Sequence, residues 1–183
     1  MSVTEYLAFE RQAREKHQYV RGEVFAMAGA SVRHNRIVAR MLLQLGQQLG
    51  EGPCQVFASD LKVHVPALET FTYPDITIIC GQPALYPGST DVITNPRILV
   101  EVLSESTERY DRGETAEGYR TIPSLDDHVF IDQHKAHVEH YARRGDGAWI
   151  LREASSGGTI TIASVAVTLD VDAIYAGVFE LRA

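Results

Sequence analysis

The chain has 183 residues, of which 45% are hydrophobic and 22% charged, and its formal net charge is −7. This length suits a single domain, residues 1–183, with a substantial core, and the composition excludes a disordered or collagen-like chain. The negative charge argues against tight, sequence-independent nucleic-acid binding, although it is compatible with a local basic groove.

Neither the N-terminal segment nor the cysteine pattern predicts export, and no apolar run predicts a membrane span. No apolar run approaches the roughly 20 residues that span a bilayer, and the opening MSVTEYLAFERQAREK lacks an apolar signal segment. Cys54 and Cys80 fall in predicted strands and have no metal-type spacing. A reducing, cytoplasmic compartment is therefore the default expectation.

The predicted elements begin with two helices and a hairpin. Ser2 and Glu5 have capping-box spacing and predict a short first helix. In QYVRGEVFAM, apolar residues flank Arg21-Gly22, which predicts a β-hairpin. The segment VRHNRIVARMLLQLGQQLG predicts a long helix that ends at Gly50. Its apolar positions at helical spacing are Ile37, Met41, Leu42, Leu45 and Leu49.

Strands dominate the rest of the predicted order. CQVFASDLKVHV, YPDITIIC and RILVEVLS each predict a strand, and the loop before the last of these has room for a strand fragment. STERYDRGETAEGYRTIP predicts a helix capped by Ser106 or Thr107. DHVFIDQ, AHVEHYARRGDGAWILREA and TITIAS predict antiparallel hairpins. The order predicts a mixed α/β (α+β) fold, with a central sheet flanked by helices and additional C-terminal hairpins.

Two acids stand inside apolar strand segments. Asp75 lies in YPDITIIC and Glu101 in RILVEVLS, and an isolated buried carboxylate is costly unless it is paired, hydrogen-bonded or metal-bound. If the two strands are neighbours, the two carboxylates meet. Together with a backbone carbonyl such as that of Val102, they would form an oxygen site suited to Mg²⁺ or Mn²⁺.

A structural ion pair is the alternative explanation for both acids. Arg97 or Arg112 is near enough in sequence to neutralise either carboxylate. Networks of structural ion pairs imitate functional sites often enough that the residue pattern alone favours this alternative.

The series of short motifs resembles a known family. GEVFAMAGASVRHNRI, VFASDLKVHV, YPDITIIC, ILVEVLSEST and YDRGETAEGYRTIPSL follow one another along most of the chain. Together they are similar to the Uma-two family within the PD-(D/E)xK nuclease superfamily. No single motif is specific, but their order is.

The resemblance implies a restriction-endonuclease-like core and phosphodiester hydrolysis. Asp75 and Glu101 would hold the divalent metal, and Glu23 would be a further ligand or would orient a metal-bound water. An exposed hairpin glutamate is the alternative for Glu23. His34 matches a recurrent histidine of the family, either as a catalytic group or as a polar residue at the start of a helix.

The chain departs from the superfamily at its catalytic lysine. That lysine normally stands two residues after the strand glutamate, where this chain has Leu103, and the matching position in the next helix is Thr115. Lys62 or Arg112 could supply the cation instead, although an arginine cannot serve as a general base. An exposed edge-strand lysine is the alternative for Lys62.

Three histidines near the C-terminal hairpins are not expected to bind zinc together. His134, His137 and His140 lie in a predicted strand-turn-strand segment, where alternation would scatter their rings.

Two functions stay open from the sequence. One is a Mg²⁺- or Mn²⁺-dependent cytoplasmic endonuclease that acts on nucleic acid, with DNA as the expected substrate. The other is a catalytically weak or inactive relative that serves as a binding or accessory module. A homodimer is a further hypothesis, because the symmetry of duplex DNA favours a two-fold partner.

Overall fold

Four helices occur in the computed structural model, which describes residues 1–104, 108 and 111–180. They are α1 (Val3–Glu10), α2 (Val32–Leu49), α3 (Ala116–Arg120) and α4 (Val171–Tyr175). Ser2 and Glu5 form the predicted capping box of α1. Helix α2 ends at the predicted Gly50, whose φ of 50° lies in the region that favours glycine. Predicted caps Ser106 and Thr107 lie outside the described residues.

The described strands form three sheets. In chain order they are β1 (His17–Val20), β2 (Glu23–Ala26), β3 (Cys54–Ala58), β4 (Lys62–Val65), β5 (Thr70–Thr72), β6 (Ile76–Cys80), β7 (Val92–Ile93), β8 (Ile98–Leu103), β9 (Asp127–Asp132), β10 (His137–Arg143), β11 (Trp149–Ser155), β12 (Thr159–Ile162) and β13 (Val167–Asp170). The larger sheet has the order β11-β10-β9-β8-β6-β3, the smaller one β2-β1-β5-β4-β7, and β12 pairs with β13.

Mixed strand directions in the larger sheet confirm the predicted mixed fold. Strand β8 is antiparallel to β6 on one side and parallel to β9 on the other. Antiparallel C-terminal hairpins are present as β10–β11, which was predicted, and β12–β13. TITIAS, which contains β12, was expected to pair across Gly157-Gly158 with the preceding strand, but β12 pairs with β13 instead. The predicted strand fragment between β6 and β8 is β7. Strand β13 and helix α4 were not predicted.

The predicted strand CQVFASDLKVHV is divided between the two sheets. Its first half, β3, pairs with β6 in the larger sheet, whereas its second half, β4, pairs with β5 and β7 in the smaller one. Asp60 lies in the turn between the halves. Alternating β-forming residues predict strands, but they do not specify where a chain leaves one sheet for another.

A disulfide joins the two edge-side strands β3 and β6. Cys54 lies directly opposite Cys80 in their antiparallel register, and the two sulfur atoms are bonded. The expectation of reduced cysteines is wrong for this structure. The pairing depends on strand register, which the spacing of 26 residues does not reveal.

Helices cover both faces of the larger sheet. Helix α2 packs on one face through Ile37, Met41 and Leu45. On the other face, Tyr119 of α3 packs with Leu99 of β8 and with apolar residues of β4, so α3 lies between the two sheets. The last strand residues of β8, including Glu101, therefore lie next to α3. No helix within the described part of the chain is long and apolar enough to cross a membrane.

Candidate metal centre

The two predicted acids lie side by side at one end of the larger sheet. Ile76 of β6 is paired with Val100 of β8, so Asp75, just before β6, is next to Glu101. The backbone N–H of Asp75 donates to Oε2 of Glu101 at 3.4 Å. Strand pairing thus brings the predicted carboxylates together.

Asp75 is held by two elements besides its own strand. The backbone N–H of Val102 donates to Oδ2 of Asp75 at 2.8 Å. Nε2 of His34, in the first turn of α2, lies 3.1 Å from the same oxygen. Because the N–H and C=O of a strand residue point towards the same neighbour, the Val102 carbonyl also faces the side of Asp75.

Glu101 is buried, and the ionised form of its carboxyl group is electrostatically unfavourable there. Burial raises the pKa of its carboxyl well above the usual range, and the negative charges of Asp75 and Asp111 raise it further. The hydroxyl of Tyr119 donates to Oε1 of Glu101 at 2.8 Å, which favours the ionised form without cancelling the rise.

The donor set fits a divalent cation that prefers oxygen ligands. Asp75 and Glu101 are cross-strand neighbours with one carboxylate each, and the backbone of Val102 contacts Asp75 through its N–H. A cation at this point would relieve both the repulsion between the acids and the desolvation of Glu101. The Arg97 ion pair proposed as an alternative is made instead with Asp126.

Lys62 lies in a different network. Its ammonium group is buried, forms an ion pair with Asp91 and donates to the Tyr73 hydroxyl at 3.2 Å. Tyr73 in turn donates to Glu10 at 2.7 Å. The alternative of an exposed edge lysine is therefore wrong, and the charge of Lys62 is already neutralised.

Arg112 is also neutralised away from the acid pair. Its two terminal nitrogens donate to the carboxylate of Glu139 at 2.6 and 2.8 Å, and its Nε donates to Glu108 at 2.8 Å. Arg112 lies in a kinked segment, Asp111–Thr115, in which Gly113 has non-helical backbone angles and which leads into α3. The alternative that Arg112 forms a structural ion pair with Asp75 or Glu101 is therefore wrong, because its partners are Glu139 and Glu108.

Glu23 lies on the hairpin β1–β2, where its side chain is exposed. It lines a surface groove of about 480 Å³, together with Arg21, Phe25 and Glu114. The structure thus puts Glu23 on the wall of a groove that Glu114 of the kinked segment Asp111–Thr115 also lines.

Apolar packing occupies the positions of the customary lysine. Leu103 is buried against Ala116 and Phe130. Thr115 is buried and lines a small cavity with Leu68 and other residues of the smaller sheet.

His34 and Tyr119 hold the acids. The family resemblance had marked His34 with two roles left open, whereas Tyr119 was not selected as a site residue from the sequence. Ser31 caps α2 by accepting from the N–H of His34, which fixes this histidine in the first turn. The three-residue spacing of Ser31 and His34 is typical of a helix N-cap, and it was the local sequence signal for the position of His34. Tyr119 donates a hydrogen bond to Glu101, and this partner follows from the packing of α3 on β8.

The scattering predicted for the three histidines is confirmed. His134 is exposed, whereas His140 is fully buried and lies 2.6 Å from Asp127. His137 and His140 both lie on β10 at an odd separation, so their side chains point to opposite faces of the sheet.

Comparison with protein families gives a match over residues 3–172 to the family Uma2, described as "Putative restriction endonuclease". Two proteins from Synechocystis sp. (strain PCC 6803) are similar over most of their length. "Uncharacterized protein sll1609" is 37% identical over 84% of this chain and 86% of its own. "Uncharacterized protein slr1290" is 34% identical over 97% of this chain and 92% of its own.

A solved structure has the same fold. It is the crystal structure of "a putative nuclease belonging to DUF820" from Anabaena variabilis ATCC 29413, with a TM-score of 0.78. The match covers 97% of this chain and 99% of the other, at 12% sequence identity. At that identity the comparison speaks for the fold alone.

Proposed function

The chain belongs to the Uma2 family, and from this premise we propose that it is a metal-dependent endonuclease with Asp75, Glu101 and the Val102 carbonyl as the ligands of Mg²⁺ or Mn²⁺. The observation that carries the proposal is the buried carboxylate of Glu101 next to the partly buried Asp75, whose backbone N–H donates to Glu101. A buried acid next to a second acid is unfavourable without a cation.

Each neighbour of the pair has a definite task in this proposal. When bound, the ion would activate a water molecule and neutralise charge on the scissile phosphate. Val102 and His34 orient the Asp75 carboxylate, and Tyr119 orients that of Glu101. Such outer partners of ligands tune affinity for the ion.

The ion pairs of Lys62 and Arg112 argue against either residue as a substitute for the customary lysine. Lys62 is paired with Asp91 and Arg112 with Glu139, so neither charge is free to meet a phosphate. We therefore assign them no catalytic role, and Glu23 stays a predicted third acid.

The pairing of Lys62 and Arg112 with other acids favours a second function, a nuclease-fold module that binds metal and nucleic acid without rapid turnover. The supporting observation is the apolar burial of Leu103 at the position of the customary lysine. DNA as the substrate, a single domain over residues 1–183 and a two-fold dimer also stay predictions.

Titration and cleavage assays test both functions. We expect Mn²⁺ to bind the wild-type protein in a calorimeter and to lose at least about 10-fold in affinity in Asp75→Asn, which removes a ligand charge. Supercoiled and single-stranded DNA incubated with Mn²⁺ or Mg²⁺ report cleavage, which Asp75→Asn and Glu101→Gln should abolish. Glu23→Gln in the same assay tests the third acid.

The matched control is Asp60→Asn, since the Asp60 side chain is 92% exposed and lies in a turn. Undiminished Mn²⁺ binding in Asp75→Asn would overturn the metal site. Binding that depends on Asp75, without reproducible cleavage, would favour the accessory module over the endonuclease.

A further inference from the structure

A second group of ligand-type side chains lies on the hairpin β10–β11, where β10 is two strands from the strand of Glu101. His137 and Glu139 are two residues apart on β10 and share one face of the sheet, and Glu153 of β11 is directly opposite Glu139. One nitrogen of His137 and one oxygen of each glutamate lie within 4.8 Å of one another. The three groups therefore converge on one point.

Two of the three groups are carboxylates that strand pairing places opposite each other. Like charges directly opposite each other in neighbouring strands are destabilising. Arg112 compensates Glu139 through a two-point contact but also pairs with Glu108. His137 lies beside the carboxylates of both Glu139 and Glu153, so the register of β10 and β11 brings all three groups together.

The distances fit ligands around one metal ion. Nε2 of His137 lies 3.2 Å from Oε1 of Glu153 and 3.5 Å from Oε1 of Glu139. Four ligands at the usual zinc distances of about 2.0–2.2 Å are separated from one another by about 3.4 Å in a tetrahedron.

Outer partners already hold two of the three ligands. Nδ1 of His137 lies 3.3 Å from the Ser155 hydroxyl, which leaves Nε2 directed at the two glutamates. Arg112 fixes the Glu139 carboxylate. Metal-binding imidazoles and carboxylates are usually oriented in this way by a second hydrogen bond. The Glu153 side chain is 54% exposed, so an ion can reach the group from solvent.

We propose that His137, Glu139 and Glu153 form a binding site for Zn²⁺ or a similar divalent transition metal, separate from the acid pair. An imidazole with two carboxylates suits Zn²⁺ or Co²⁺ better than Mg²⁺, which prefers ligands that are all oxygen. Three protein ligands leave a fourth position for water. The ion would link β10 to β11. Through Glu139 and its partner Arg112, it would also connect this hairpin to the kinked segment before α3.

The test uses the full chain in an Asp75→Asn background, which separates this site from the proposed catalytic one. The protein is stripped with chelator and kept without reductant, so that the disulfide excludes Cys54 and Cys80 as zinc ligands. Calorimetric titration with Zn²⁺ gives stoichiometry and affinity, and Co²⁺ gives a visible absorption spectrum. We expect one ion to bind with high affinity.

Variants then locate the ion. His137→Ala and Glu153→Gln should each weaken Zn²⁺ binding by at least about 10- to 100-fold. His134→Ala is the matched control, because it removes an exposed imidazole from the turn before β10, and its affinity should equal that of the parent. Circular dichroism of each variant without metal shows whether it is folded.

Three outcomes would overturn the proposal. They are no Zn²⁺ binding by the folded parent, undiminished binding in folded His137→Ala, and an equal loss in His134→Ala. The first of these would identify the group as a structural imidazolium–carboxylate cluster. None of these results depends on nuclease activity, so the proposal can fail while the proposed function stands.

Discussion

Glu101 shows how one side chain can link stability to function. Its carboxylate is buried beside Asp75, and the raised pKa means that the folded protein holds a proton more tightly than the unfolded chain. Without metal, stability from this group is therefore fully present below the pKa of an unfolded glutamate, about 4.3. It is lost as the pH rises through the folded-state pKa.

Glu101→Gln is accordingly expected to stabilise the metal-free protein at neutral and alkaline pH. The amide keeps the shape of the side chain but has no charge to desolvate, and a gain of about 1–3 kcal/mol is the usual scale for a poorly compensated buried polar group. Urea denaturation of both proteins across a pH series measures the difference, which should shrink towards acid pH. Glu117→Gln, an exposed acid on α3, is the control, and parallel pH profiles for wild type and Glu101→Gln would contradict the prediction.

Leu103 explains why the customary lysine cannot simply be restored. Its side chain is buried against Ala116 and Phe130. An ammonium group there would lose its water without a partner of opposite charge in that apolar cluster. Leu103 thus stands where a lysine is customary and packs against α3 through Ala116. Its replacement by lysine would therefore disturb the position of α3.

Close packing positions the short helix α3, and Gly118 makes that packing possible. A Cβ atom at Gly118 would lie 2.3 Å from Cδ1 of Leu68 and 3.3 Å from Cγ1 of Val65. Glycine thus lets the helix approach the smaller sheet. The next residue, Tyr119, consequently reaches Glu101 on the larger sheet.

Gly118→Ala is expected to destabilise the protein by about 1–3 kcal/mol, because overpacking moves the helix or its neighbours. It should also weaken Mn²⁺ binding, since Tyr119 would shift from Glu101. Urea denaturation and calorimetry measure the two effects. Gly145→Ala, where an added Cβ meets nothing within 4 Å, should change little, and an unchanged Gly118→Ala protein would refute this account of α3.

The whole molecule depends on the junction of two sheets. The chain crosses between them at the turn of β3 and β4, and α3 packs between them. The disulfide secures β3, the outer strand of the larger sheet, to β6. Asp75 lies at the other end of β6, so the covalent link and the acid pair share one strand.

Reduction of the disulfide is expected to lower the free energy of unfolding by about 3 kcal/mol, the chain-entropy scale for a loop of this length. The 26-residue separation of the cysteines sets that scale. Denaturation with and without a phosphine reductant measures it. The double variant Cys54→Ser/Cys80→Ser should not respond to the reductant, and a wild-type protein equally insensitive to it would show that the link contributes no stability.

The sequence by itself determined most of the local structure. Ser2 with Glu5 and the spacing of Ile37, Met41 and Leu45 specify helices, because capping and apolar periodicity act over a few residues. The order of motifs also pointed to the family that the comparison identifies. Asp75 and Glu101 were recognisable because an acid in an apolar strand is costly.

Only the tertiary structure decided the partners of those residues. Lys62 meets Asp91, Arg112 meets Glu139, Tyr119 meets Glu101, and Cys54 meets Cys80 across distances in sequence that no local pattern encodes. Each pairing depends on strand register and on the sheet to which a segment belongs. A register shift of one residue turns a strand's side chains to the opposite face, so the charge balance around the acids follows from packing of the whole chain.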